Sequence, residues 1–227
     1  MTPDRSRCLE SLAELILAVE RPHPVRVAVD GPDAAGKTIL ADELAPILER
    51  SARPIIRASI DGFHRRRAER IARGPDSPEG YYRDSFDYPA LRAALLHPLG
   101  PGGNLKFRRR VFDYRTDSPA LAPVETAAPD SILLFDGVFL LRPELADLWN
   151  FAIFVSVPFK ETQRRAAERD AVLFGPTEAT LRRYAARYVP GQQIYFEEAH
   201  PEAAADVVIA NEDPDRPLLH RRGELDR

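Results

Sequence analysis

Eight consecutive residues, Gly31-Pro32-Asp33-Ala34-Ala35-Gly36-Lys37-Thr38, carry the sharpest chemical signal in this sequence. They fill every fixed position of the pattern G-x-x-x-x-G-K-[ST], and all eight are candidate nucleotide-phosphate contacts. Glycines let a loop wrap closely around an anion with its N–H groups turned inward. A helix that starts at the end of such a loop brings the positive end of its dipole to the phosphate. In that setting Lys37 reaches the β- and γ-phosphates, and the Thr38 hydroxyl becomes a ligand for Mg²⁺. Lys37 is one of only three lysines, with Lys106 and Lys160, in a chain that otherwise uses arginine for its cations. A lysine retained at this slot points to a phosphate contact, since arginine would serve on a merely solvated surface.

Two carboxylates follow short apolar runs. Asp61 closes Pro54–Ile60, and Asp136 closes Ser131–Phe135. Ligands of open α/β sheets bind at the carboxyl ends of the strands, where both acids would lie. An aspartate before glycine is also a common turn pair, so neither acid decides anything alone. Together with the phosphate loop they suggest one residue that orients a hydroxyl and takes its proton, and one that organises Mg²⁺. Asp61 is the candidate base and Asp136 the candidate metal organiser. The exchange of roles stays open, so both are candidate metal ligands beside Thr38. Arg165 and Arg169, one helical turn apart, share a face that could close on a γ-phosphate and offset its charge.

These residues need a frame. Helical periodicity covers 6–19, with Ser6 as candidate N-cap, and recurs in Leu40, Leu44, Ile47 and Leu48, where Pro46 predicts a kink or restart. The runs 25–29, 54–60, 131–135, 151–157 and 205–209 read as strands, and their near-continuous apolar character indicates a parallel sheet buried on both faces. Residues 64–88 read as loop with short helix, 89–96 as a short helix, 105–114 as a strand or hairpin arm, and 160–173 and 178–187 as charged helices. The tail from Asn211 reads as polar loop. The expected architecture is α/β: a three-layer P-loop NTPase fold with a mainly parallel five-stranded sheet and a helical lid.

Composition narrows the classes. A chain of 227 residues with 44% hydrophobic and 30% charged residues can bury a core without staples. The net charge of −3 lacks the basic footprint of general nucleic-acid binding. No apolar run approaches the ~20 residues of a membrane span. A single cysteine, Cys8, rules out an internal disulfide, and residues 1–10 lack a signal-peptide h-region. A cytoplasmic enzyme with a small-molecule partner is expected, with homo-oligomerisation left open. The guanine-reading N-K-x-D is missing, which disfavours a GTPase-like regulatory module.

The loop Gly31–Thr38, Asp61-Gly62-Phe63-His64, Asp84-Ser85-Phe86-Asp87, Leu134-Phe135-Asp136-Gly137-Val138, Arg165 to Asp170 and Ala205-Asp206-Val207-Val208-Ile209 follow one another in the order seen in the uridine kinase/phosphoribulokinase family. The chain resembles that family over roughly residues 25–210. The resemblance implies one kinase domain over 1–227, with a lid near 160–190 and an acceptor-binding insertion near 62–120. It implies transfer of the ATP γ-phosphate to a metabolite hydroxyl with Mg²⁺, Asp61 as general base, and Asp136 where the family usually has Glu, holding the metal through water. The nucleoside-reading positions depart from the family: Tyr81 stands where uridine kinases have Asp, and Phe112 and Asp117 where they have Tyr and His. Candidate acceptor contacts are His64, Tyr82, Arg83, Asp84, Phe112, Asp113 and Arg115. A nucleoside is the first candidate acceptor; nicotinamide riboside, pantothenate or a sugar phosphate are alternatives.

Overall fold

The computed structural model describes residues 2–174 and 177–222, without the side chains of 169–174 and 177. Among them, six strands form the central sheet: β1 (Val25–Asp30), β2 (Ile55–Ser59), β3 (Ile132–Asp136), β4 (Phe151–Ser156), β5 (Val207–Ala210) and β6 (Leu218–Arg221). Their order is β6-β5-β4-β1-β3-β2. The first five are parallel, and β6 is an antiparallel edge strand paired Leu218 to Ala210. The sheet therefore has one strand more than the five expected. The extra strand is the segment read as polar tail, and its mixed burial hides a hairpin return from any apolar-run reading.

The sheet is buried on both faces because its side chains alternate. Val25, Val27 and Val29 join Ile132, Leu134, Ile153, Val155 and Ile209 against helices α1 (Pro3–Leu17) and α2 (Lys37–Glu49). Ala28, Leu133, Phe135 and Phe154 face the opposite layer, where Tyr82, Phe139 and Tyr195 lie fully buried. Period-two alternation on strands with apolar residues on both sides yields three layers. That second layer contains α3 (Pro78–Asp84) and α6 (Val189–Ala199), which pack on each other. Helices α4 (Phe159–Phe174) and α5 (Thr177–Arg183) make a second packed pair, and a π-helical turn over Tyr184–Tyr188 joins α5 to α6.

Two local expectations change. Helix α1 starts earlier than Ser6: Thr2 is its N-cap, accepting the Arg5 N–H at 3.3 Å, with Pro3 in the first turn where a missing N–H costs nothing. Helix α2 runs unbroken through Pro46, so the predicted restart does not occur. Pro46 lies only one turn from the end of α2, and Leu44, Ile47 and Leu48 remain buried across it, so packing outweighs the lost hydrogen bond.

The registers bring the chemical residues to one edge. Val29 and Ser59 each pair with Asp136, and Ser156 pairs with Ala210. Asp30, Ser59, Asp136 and Asn211 therefore come level at the carboxyl ends of their strands. Beside β1 the chain order reverses, since it leaves for β2 on one side and returns through β3 to reach β4 on the other. A crevice opens at such a switch point, and residues 31–36 fill its floor.

Candidate functional site

The phosphate-type loop begins where β1 ends. Asp30 is wholly buried and accepts the Gly31 N–H at 2.7 Å, the Leu140 and Leu141 N–H groups at 3.1 Å each, and the Tyr195 hydroxyl. Burial pushes its carboxyl up to about 6, although Tyr195, Gly31, Lys37 and Leu141 all pull the other way. This carboxylate clamps the loop's first residue to the turn after β3. Gly31 admits no Cβ, which would lie 2.5 Å from the Val155 carbonyl oxygen. Gly36 caps α2 in the left-handed region at φ 96°, a conformation that suits glycine. The first turn of α2 carries no acid, so no carboxylate competes with an anion for its N–H groups.

Lys37 is buried and its Nζ donates to the Pro32 carbonyl at 2.7 Å, across the loop. Thr38 Oγ1 donates to Asp136 Oδ2 at 2.7 Å. Asp136 is 3% exposed, and its other oxygen meets Arg57 Nη2 at 3.0 Å. Ser59 Oγ lies 3.5 Å from Asp136 Oδ2. The structure thus brings together Lys37, Thr38 and Asp136, three of the residues singled out from the sequence, and adds Arg57 as the counter-charge that lets Asp136 stay buried. Asp33 Oδ2 takes bonds from the Tyr81 hydroxyl and from Gln192 Nε2, the latter at 2.7 Å, which ties the loop to α3 and α6.

Two hollows flank this loop. The first, of 740 Å³, is lined by Arg5, Ile39, Glu43, Arg165, Asn211 and Pro214. The second, of 630 Å³, includes Ser59, Asp61, His64, Asp136, Tyr81 and Tyr114 in its walls. Ala34, Lys37 and Thr38 line both. A ligand tail lying along the loop would reach from one hollow to the other past Lys37.

Asp61 stands in the second hollow on a 3₁₀ turn (Ile60–Phe63) that follows β2. Its side chain is 59% exposed, and its Oδ1 lies 3.5 Å from His64 Nε2. His64 Nδ1 lies 3.1 Å from the Ser85 carbonyl, and the ring stacks on Phe86 with centroids 4.5 Å apart. Asp61 and Asp136 share this cleft, as the strand-end argument expects.

The other acceptor candidates do not line this cleft, although Arg115 lies near enough to feel the Asp61 charge. Tyr82 is fully buried beneath Phe139 and Tyr195, with the Arg142 guanidinium over its ring. Arg83 bridges Glu79 and Glu198 on the outside of α3. Asp84 is held by Arg73 at 2.7 Å. Phe112 is buried in a two-residue ribbon (Phe112–Asp113) paired with Ser118–Pro119. Asp113 accepts the Arg115 N–H at 2.9 Å, which holds its carboxyl below the usual range, and Arg115 lies over the Tyr114 ring. Of these seven, His64 lines the described cleft and the other six do not. The cleft is instead walled by Arg70, Tyr81, Phe86, Tyr114, Arg183, Tyr184 and Tyr188. A short helix, a ribbon tip and a π turn bring these together, and no local spacing could have announced it. Three of them carried a weaker signal in the sequence: Tyr81 at an acceptor position, Phe86 within Asp84-Ser85-Phe86-Asp87, and Arg183 among the arginines of the second charged helix.

Arg165 belongs to the first hollow. Its Nε donates to Glu161 at 2.8 Å, and Nη2 donates to the Asn211 and Glu212 carbonyls at 2.9 Å each. The side chain of Arg169 lies outside the described residues, as do Gly175 and Pro176.

No family model matches the sequence, and no curated protein is significantly similar to it. Solved structures do match. A possible uridine kinase from Bacillus stearothermophilus superposes with a TM-score of 0.71 at 21% identity, over 89% of this chain and 97% of that one. Phosphoribulokinase from Rhodobacter spheroides gives 0.54 at 17% identity, over 84% and 70%. D-glycerate 3-kinase from Cryptococcus neoformans gives 0.59 at 15% identity, over 82% and 87%. At these identities the likeness establishes the fold: a three-layer α/β P-loop fold shared with small-molecule kinases. Among the described residues no helix is long and apolar enough to cross a membrane.

Proposed function

We propose that this protein is a small-molecule kinase that transfers the ATP γ-phosphate to a hydroxyl of a metabolite. The observation that carries the reading is the arrangement around Lys37: one hollow on each side of the phosphate-type loop, both lined by Lys37 and Thr38, with a strand-end aspartate in the second. A hydrolase or switch needs room for a nucleotide and a water. A 630 Å³ cleft walled by aromatic rings and arginines has room for a second organic substrate.

The residues fit a magnesium nucleotide. A buried carboxylate within 2.7 Å of a hydroxyl offers the hard oxygen donors that Mg²⁺ takes, with phosphate and water completing its shell. Thr38 and Asp136 would hold it, and when bound it would draw charge from the phosphate oxygens. Lys37 and the loop N–H groups bind and orient the polyphosphate tail. Asp61 orients the acceptor hydroxyl and accepts its proton as the phosphorus–oxygen bond forms. His64 lies beside Asp61, with its ring orientation set by Phe86 and the Ser85 carbonyl. The acceptor is a nucleoside or another hydroxylated metabolite of similar size.

A screen of hydroxylated metabolites with Mg·ATP, reading ADP release, tests this. A kinase releases ADP faster when one acceptor class is added. A nucleotide-binding regulatory module would show slow hydrolysis unchanged by every acceptor.

A further inference from the structure

Asn211, a wall residue of the first hollow, also touches the loop itself. It follows β5, is 4% exposed, and donates its backbone N–H to the Ser156 carbonyl at 3.0 Å. Its side-chain Nδ2 donates to the Ala35 carbonyl at 2.8 Å. A carbonyl can only accept, so this contact fixes which end of the amide faces the loop. Oδ1 is buried with no hydrogen-bond partner among the described residues. An unpaired buried acceptor costs stability that an apolar side chain of similar size would avoid. The donor half of the amide is therefore the half with a purpose.

We infer that Asn211 is a positioning residue for the phosphate tail, holding the Ala35–Gly36 peptide so that the Gly36 N–H faces the anion. The peptide unit is planar and trans, so its C=O and N–H point in opposite directions. Drawing the Ala35 carbonyl toward Asn211 turns the Gly36 N–H to the other side of the loop. Gly36 allows this approach: a Cβ there would stand 2.9 Å from Asn211 Nδ2. The Asn211 carbonyl also accepts from Arg165 Nη2 at 2.9 Å, so one residue ties loop, sheet and α4 together. The inference rests on the kinase reading, because it assumes that the loop binds phosphate.

The test is calorimetric titration of the full chain with magnesium tripolyphosphate, which has no base, and with Mg·ADP. Asn211→Asp keeps the shape and sets a carboxylate oxygen against the Ala35 carbonyl. Asn211→Ala removes the amide, and keeps the test open if the aspartate variant does not fold. Tripolyphosphate and ADP affinity should each fall about tenfold or more in Asn211→Asp, and somewhat less in Asn211→Ala. The amide resonance of Gly36, which moves when tripolyphosphate is added to the wild type, should move less in either variant. Tripolyphosphate affinity within about twofold of wild type in the folded variants overturns the inference. So does a loss confined to ADP, which would make Asn211 a wall of the base site. Absence of binding by the wild type overturns the kinase reading itself, and is thereby told apart from failure of the Asn211 role.

Discussion

The two hollows beside Lys37 are built in different ways. The first is walled mostly by the frame: α1 supplies Arg5, α2 supplies Ile39 and Glu43, the turn after β5 supplies Asn211 and Pro214, and α4 adds Arg165. Its polar groups are bound to one another, as Arg5 is to Glu43 at 2.6 Å and to the Pro214 carbonyl at 2.7 Å. The second is walled by segments added to the frame, including a 3₁₀ turn, a four-residue helix (Arg67–Arg70) and a π turn, and it gathers Asp61, His64 and several tyrosines. A wall of long framework elements suits a substrate common to the fold. A wall of short inserted pieces is where specificity can differ between proteins that share the fold.

That contrast can be broken by substitution. Lys37 belongs to both hollows, and Lys37→Ala should lower turnover by about a thousandfold or more while the circular dichroism spectrum is unchanged. Asp61→Asn should act on the second hollow alone. Its kcat should fall about 10²–10⁴-fold with ATP affinity within about twofold, measured by kinetics and calorimetry side by side. A collapse of ATP affinity with chemistry intact would instead make Asp61 a metal ligand. Asp136→Asn should raise the Mg²⁺ concentration for half-maximal turnover by about tenfold. Arg165→Ala should act on the first hollow, raising KM for ATP a few-fold with kcat nearly unchanged. A fall in kcat beyond about tenfold would sharpen the comparison by showing that Arg165 reaches the transferring phosphate.

The smallest effect is one of pH. The Asp30 carboxyl is held at about 6 against an ordinary 3.8, so the folded state binds its proton more tightly than the unfolded chain does. Stability from this group is full below the unfolded value and declines as pH rises through 4 to 6. Asp30→Asn removes that slope. The wild-type advantage over the variant in urea unfolding should therefore shrink between pH 4 and 6, then hold steady above it. An advantage that grows over that window would contradict the buried, proton-retaining carboxyl.

The same contrast explains what could be read in the sequence. Gly31–Thr38 is one contiguous stretch whose residue types are dictated by backbone geometry and charge. Asp61 and Asp136 are legible because apolar runs end in them, and parallel strands bring such ends level. The core strands show as apolar runs because both their faces are covered. Strand β6 does not, because Leu218 is 60% exposed on an edge. Tyr184 and Tyr188 line the cleft from a π turn, which no helical periodicity announces, and of the two buried neighbours Tyr81 and Tyr82 only Tyr81 lines it. Arg57 sits two residues before the end of β2 and is intelligible only once β3 lies beside it with Asp136.

On the proposed function the two hollows hold donor and acceptor of one transfer across Lys37. Its most direct test is to incubate the protein with Mg·ATP labelled at the γ-phosphate and a pool of hydroxylated metabolites, and to follow the label. Wild type should yield a labelled organic phosphate, and Asp61→Asn almost none. Label appearing solely as inorganic phosphate, at a rate no metabolite alters, would contradict that function.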